Sequence, residues 1–263
     1  MLECVVNISE GRRPEVVAAI AATAGRDLLD VHRDPDHHRS VLTVLGEAAP
    51  RAIARAAVAT LDLRDHDGVH PRIGVLDVVP FVPLDDATMA EAIAARDRFG
   101  AWAAAELALP CFLYGPERSL PELRRDAFRT LVPDVGPSRP HPTAGAAAVG
   151  ARPLLVAYNL WLADADLASA RALARAIRQP AVRALGLQVG PRVQLSMNLV
   201  APDEVGPADV YDWTQARTAV AGAELVGLLP LAVLVRIDRE RWAALDLGEE
   251  RTIEARRAAA GRG

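Results

Sequence analysis

The chain has 263 residues, of which 51% are hydrophobic, 24% charged and 4% aromatic. That is enough apolar material for one large domain or two small ones, with Ala, Val and Leu filling the cores. A formal net charge of −4 argues against nucleic-acid binding as the main activity, because neutralising phosphates needs clustered positive charge. The longest apolar run, residues 225–235, is interrupted by Gly227 and Pro230 and falls short of the roughly 20 residues that span a bilayer, so no membrane partner is expected.

Taken in chain order, apolar periodicity predicts a strand over residues 2–7, a helix over 14–24 and strands over 27–32 and 40–46. A helix is expected over 51–61, with Ile53, Ala56, Ala57 and Leu61 on its apolar face. Residues 73–81 are apolar nearly throughout and read as a strand buried on both faces. A long helix over 86–107, with room for a break near Gly100, a strand over 111–115 and a weaker helix over 120–131 follow. The first six elements give β-α-β-β-α-β, the split βαβ or ferredoxin-like pattern.

The second half repeats that order. A strand over 154–161 precedes a helix over 164–178, and strands over 182–189 and 192–199 form a hairpin turned at Gly190-Pro191. A helix over 208–221, a short strand over 225–228 and a helix from Pro230 follow, and residues 253–263 read as a frayed helix or tail. The expected fold class is therefore α/β in the α+β sense: two βαββαβ subdomains with mixed or antiparallel sheets, over residues 1–152 and 153–263. Between the halves, residues 132–152 are rich in Pro, Gly, Ser and Thr, which reads either as a linker or as an ordered functional loop.

Cys4 and Cys111 each sit in an apolar run and read as small core residues, which suits a reducing compartment. Glu3 and Asn7 stand where a secretory leader needs a basic start and an unbroken apolar stretch, so a cytoplasmic location is expected.

All six histidines precede residue 142: His32, His37, His38, His66, His70 and His141. Asp34-Pro35-Asp36-His37-His38-Arg39 packs carboxylates, imidazoles and a guanidinium into one turn; a polar turn and a site remain alternatives. No repeated zinc-like spacing accompanies it, so no metal is expected. In Gly68-Val69-His70-Pro71-Arg72, the proline biases His70 towards an extended backbone, at the mouth of the next strand. With an ordinary pKa of roughly 6.5, an imidazole there can take and give a proton at neutral pH. His141, between Pro140 and Pro142, reads as part of a stiff crossover loop or as a wall of a ligand site. No phosphate-binding glycine loop, dinucleotide fingerprint or serine elbow is present.

Nine collinear motifs resemble the formiminotransferase domain family. They begin with Glu3-Cys4-Val5-Val6-Asn7-Ile8-Ser9-Glu10-Gly11 and His70-Pro71-Arg72-Ile73-Gly74-Val75-Leu76-Asp77-Val78. Leu113-Tyr114-Gly115, Pro133-Asp134-Val135-Gly136-Pro137, His141-Pro142-Thr143-Ala144-Gly145-Ala146 and Val149-Gly150-Ala151-Arg152 follow. Ala157-Tyr158-Asn159, Gln194-Leu195-Ser196-Met197-Asn198-Leu199 and Glu224-Leu225-Val226-Gly227-Leu228-Leu229-Pro230 complete the set.

The resemblance implies two α/β subdomains with a folate-binding crevice between them, a homodimer, and transfer of a formimino group between glutamate and tetrahydrofolate, the co-substrate. The family's catalytic histidine falls on His70 by its His-Pro-Arg context. Arg39, Arg72 and Arg152 are then expected to grip glutamate carboxylates, and Asp34, Asp36 or Asp77 to balance an amidinium-like charge. Asn7, His141, Thr143, Asn159 and Asn198, inside the matching motifs, complete the expected substrate-binding set. Departures fall at Asp67-Gly68-Val69, where the family has Lys-Gly-Glu, at His38 and Trp161, where it has Asn, and in a shortened hairpin near Gly190. They bear on the substrate, and leave formyl transfer, 5-formyltetrahydrofolate cyclo-ligation and a non-catalytic folate-binding homologue as alternatives.

Overall fold

Strand β1 (Leu2–Ile8) sets the first unit by alternation: Cys4, Val6 and Ile8 enter one core, while Glu3, Val5 and Asn7 take the other face. The structure, a computed structural model, describes residues 1–68 and 71–261. It divides into two compact units, Met1–Pro153 and Leu154–Gly263.

In the first unit, β1 lies antiparallel between β3 (Arg39–Leu45) and β4 (Leu76–Pro83), and β2 (Leu28–Asp34) extends the sheet beyond β3. Two parallel strands continue it on the other side, giving the order β2-β3-β1-β4-β6-β5, with β5 at Cys111–Tyr114 and β6 at Ala147–Ala151. Helices α1 (Pro14–Ala22), α2 (Ala48–Thr60) and α3 (Met89–Leu107) bury Ile20, Ile53 and Phe99 against the Cys4–Val6–Ile8 face. Helix α4 (Leu120–Asp126) sets Leu123 against Val78, Phe112 and Ala148 on the opposite face.

The second unit runs β7 (Val156–Leu162), α5 (Leu167–Ile177), β8 (Val182–Val189), β9 (Arg192–Leu199), α6 (Pro207–Gln215) and β10 (Val220–Val226). All its strand pairs are antiparallel, in the order β10-β7-β9-β8. Val156, Tyr158, Leu160 and Leu162 pack with the β9 residues Val193, Leu195, Met197 and Leu199 under α5. The alternate positions of β7 and β9, among them Asn159, Trp161, Gln194, Ser196 and Asn198, take the other face. Helices α7 (Leu231–Leu234) and α8 (Ile253–Ala259) close the chain. Among the described residues, no helix is long and apolar enough to cross a membrane.

The two βαββαβ patterns expected from the sequence are both present, but several boundaries differ for identifiable reasons. Helix α3 runs unbroken through Gly100, where a Cβ would make an ordinary contact with Leu113 Cδ2 at 3.4 Å. Helix α4 stops at Asp126 rather than at residue 131, because Phe128 turns left-handed at φ +58° and its ring meets Phe112 edge-on at 4.9 Å. Strand β10 claims residues 220–226, so α6 ends at Gln215 instead of 221. Of the frayed helix or tail expected over 253–263, Ile253–Ala259 form a helix, with Thr252 accepting the Ala255 N–H and Ile253 buried. The supposed linker contains strand β6.

Strand β4 begins at Leu76, later than expected, because the preceding backbone is otherwise engaged. Gly74 bridges to Gly145, and Ile73 donates its N–H to Asp77 Oδ1 at 2.8 Å. A Cβ on Gly74 would lie 2.0 Å from Ala146 O and 2.6 Å from Ala144 O, both backbone atoms with little room to yield. Gly74→Ala should therefore cost about 1–3 kcal/mol by overpacking, lowering the melting temperature of the first unit by roughly 5–10 °C. Calorimetry showing an unchanged transition would contradict the close approach.

Candidate functional site

Polar residues gather at one end of the six-stranded sheet, where β1 and β2 finish and β3, β4 and β6 begin. Ser9, one residue past β1, donates its N–H to Val75 O and its Oγ–H to Gly74 O, each at 2.8 Å, tying the end of β1 to the approach of β4. Glu10 follows and is buried. Its Oε1 accepts the N–H groups of Arg12 and Arg13 at 2.8 and 3.0 Å, and its Oε2 accepts Arg13 Nε–H at 2.6 Å. Burial alone would raise its pKa; the backbone donors and the Arg13 guanidinium outweigh that and hold it below the usual range. Gly11 can only be glycine here, since a Cβ would fall 2.1 Å from Asp34 O.

Asp34 ends β2 opposite Arg39 in register. Its Oδ1 accepts the N–H groups of Asp36 and His37 at 2.9 and 2.8 Å, while Oδ2 lies 2.8 Å from His37 Nδ1. Burial pushes the Asp34 pKa up, but the His37 side chain and N–H, with Arg39 nearby, bring it down to about 2. Asp36 is exposed and Arg39 half-buried.

Arg72 donates to Gly68 O. Asp77, almost fully buried, accepts the Ile73 N–H and pairs through Oδ2 with Arg124 of α4. His141 is part of the same end: its Nδ1 accepts the N–H groups of Ala144 and Thr143 at 3.0 and 3.3 Å, and Thr143 O accepts Leu63 N–H at 2.7 Å. Asn7 points from the face carrying Val41 and Val78 of the neighbouring strands. Eight of the expected residues thus lie at this end: Asn7, Asp34, Asp36, Arg39, Arg72, Asp77, His141 and Thr143. His70 and Val69 lie outside the described residues.

Arg152 is not brought to this end. It follows β6 and donates its N–H to Phe81 O, four residues beyond Ala148, which is level with Val78. At about 3.3 Å per strand residue, that is roughly 13 Å along the sheet. In the second unit, Asn159 is buried and its Nδ2–H donates to Glu224 Oε2 at 3.1 Å; Gln194 Nε2–H donates to the same oxygen at 3.2 Å. Gln194 Oε1 is buried with no hydrogen-bond partner among the described residues. Asn198 is exposed, and Arg192 lays its guanidinium over the Trp161 ring at 3.9 Å.

Sequence reasoning passes over Glu10, Arg124, Gln194 and Glu224 as functional residues. The available signal is a polar side chain within a strand or at its end among apolar neighbours, as in Val193-Gln194-Leu195 and Ala223-Glu224-Leu225. Among the described residues, no group of three or more His, Cys, Asp or Glu is placed to hold a metal ion. The thiols are buried, which pushes Cys4 well above its usual value and Cys111 up to about 12.

A mixed α/β fold with buried carboxylates and imidazoles gathered at one sheet end is the build of an enzyme rather than of a structural module. A family model described as formiminotransferase domain, N-terminal subdomain, matches residues 1–152. Glutamate formimidoyltransferase of Streptococcus pyogenes serotype M1 is 32% identical over 273 residues, covering 90% of this chain and 91% of that one. The protein of the same name from Thermoplasma acidophilum is 34% identical over 275 residues, covering 90% of each. Formimidoyltransferase-cyclodeaminase of Sus scrofa is 36% identical over 277 residues, covering 89% of this chain and 51% of its own length, so the chain spans about half of that relative. The chain belongs to the formiminotransferase family and is a transferase of the formimidoyltransferase type.

Proposed function

We propose that the chain transfers a formimino group between N-formiminoglutamate and tetrahydrofolate, as a step of histidine degradation and one-carbon metabolism, with His70 as the proton shuttle. The observation that carries this reading is the match along nine tenths of both chains to relatives named glutamate formimidoyltransferase, together with the His70-Pro71-Arg72 context. Moving the group from one amine to another passes through a tetrahedral adduct bearing both amines. One nitrogen must lose a proton and the other gain one, and a single imidazole serves both. The remaining rate enhancement comes from holding two substrates in register.

Arg39 and Arg72 at the sheet end supply guanidinium forks suited to glutamate carboxylates, and Asp36 is an exposed carboxylate there. Asn7, His141, Thr143, Asn159, Asn198 and Arg152 complete the proposed substrate contacts. The unpartnered Gln194 Oε1 suits a donor from a bound molecule such as the pterin of tetrahydrofolate. The 1–152 and 153–263 halves then serve as the N- and C-terminal subdomains of a cytoplasmic homodimer, and a monomer mass in sedimentation would remove the dimer from this account.

The deciding assay mixes purified protein with formiminoglutamate and tetrahydrofolate, beside parallel reactions with a formyl donor and with 5-formyltetrahydrofolate plus ATP. Turnover in the first mixture is expected. Turnover confined to either of the others would replace the formimino reading by formyl transfer or cyclo-ligation, and folate binding without any turnover would leave a binding protein.

A further inference from the structure

Two histidines that the proposed chemistry does not use lock the chain just ahead of His70. The rings of His38 and His66 stack with centroids 4.1 Å apart and planes 18° from parallel. Each Nδ1 receives a backbone N–H at 3.1 Å, from Gly11 for His38 and from Gly68 for His66. An Nδ1 that accepts is unprotonated, so each neutral ring carries its proton on Nε2. In His66 that nitrogen lies 2.7 Å from His38 O, a partner only a donor satisfies. His66 thus spends its full hydrogen-bonding capacity as a neutral ring: one nitrogen on its own chain two residues on, the other on the turn after β2. Gly68 is pressed onto the same turn, since a Cβ there would stand 2.5 Å from His37 O and 2.8 Å from His38 Cβ. His38 itself is left-handed, at φ +51°.

We propose that His66, stacked on His38, is a positioning residue: in its neutral form it fixes the chain through Gly68 and thereby sets where the His70 imidazole is offered to substrate. The inference rests on His70 being the proton shuttle. His66 is faced by His38, Arg72, Asp67 and Glu10, and His38 by His66, Glu10, Arg12 and Asp67. Burial is the largest influence on each ring and disfavours its charged form; Arg72 acts the same way on His66, as do His66 and Arg12 on His38. The hydrogen bond to His38 O on His66, with Asp67 and Glu10 on both rings, opposes it but does not prevail, and both rings are held below the ordinary value. Because the folded pKa is depressed, the lock is complete above roughly pH 6.5 and is lost as pH falls through the folded values. A proton on either Nδ1 displaces the backbone donor it holds, and protonation of both rings would place two cations face to face.

The test uses the full chain with formiminoglutamate and tetrahydrofolate and compares His66→Ala, His66→Asn and His70→Ala. His66→Ala should lower kcat by about 10–100-fold, the scale of an ångström-level misplacement, with KM little changed. His66→Asn keeps an acceptor for the N–H two residues on; it should recover most of the turnover and move the acid limb of the kcat profile to lower pH. Nitrogen-15 imidazole spectra should show the His66 proton on Nε2. Wild-type turnover in His66→Ala while His70→Ala is inactive overturns this proposal alone. So does an acid limb unchanged in His66→Asn, or a neutral His66 protonated on Nδ1. Wild-type turnover in His70→Ala removes the shuttle reading itself, and the positioning role with it.

Discussion

His70→Ala is expected to lower turnover by about 10²–10⁴-fold, the usual worth of a positioned acid–base group, while tetrahydrofolate still binds. The expectation follows from the proposed chemistry, in which one imidazole serves both amines, and from what flanks the position. On one side Gly68 is fixed to the His37–His38 turn. On the other, Ile73 is fastened to Asp77, and Gly74 to Gly145. With both flanks braced by other residues, removal of one imidazole should leave the rest of the sheet end in place. Stopped assays with isothermal titration of folate separate the outcomes. Loss of turnover with retained binding supports a proton shuttle; loss of both would make residue 70 a structural element.

Much of this arrangement is legible in the sequence, and where it is not the cause is physical. Alternation and apolar runs give the two βαββαβ patterns because each strand has one face on a helical layer, as Cys4, Val6 and Ile8 do. Strand β6 escapes such a reading because Ala-Ala-Val-Gly-Ala has little strand propensity. Its small side chains are demanded by its position between β4 and β5: a Cβ on Gly150 would sit 2.1 Å from the Tyr114 ring. At the site, the clustering of charged residues in 34–39 is visible, but not which charges are already spent. That Asp34 is consumed by its own turn and Asp77 by α4 depends on contacts 47 residues apart in the latter case. Likewise the stacking of His66 on His38 joins two segments that sequence spacing treats as unrelated.

Asp77→Ala should destabilise the first unit by about 3–5 kcal/mol, the cost of leaving a largely buried ion without its partner, and lower its melting temperature by on the order of 10 °C. The carboxylate, 1% exposed, holds two elements at once: Oδ1 takes the Ile73 N–H at 2.8 Å and Oδ2 takes the Arg124 guanidinium. Its removal orphans the N–H and strands the cation of α4. The sequence alone admits a second role for Asp77, balancing the amidinium-like charge of the formimino group, and a paired variant separates the two. Asp77→Asn with Arg124→Met keeps an acceptor for Ile73 while deleting both charges, so calorimetry should find most of the stability restored. If Asp77 acts only as a brace, turnover returns with stability. That result is expected, because both carboxylate oxygens already have partners within the chain. A double variant as stable as the wild type yet inactive would instead place the Asp77 charge in the reaction.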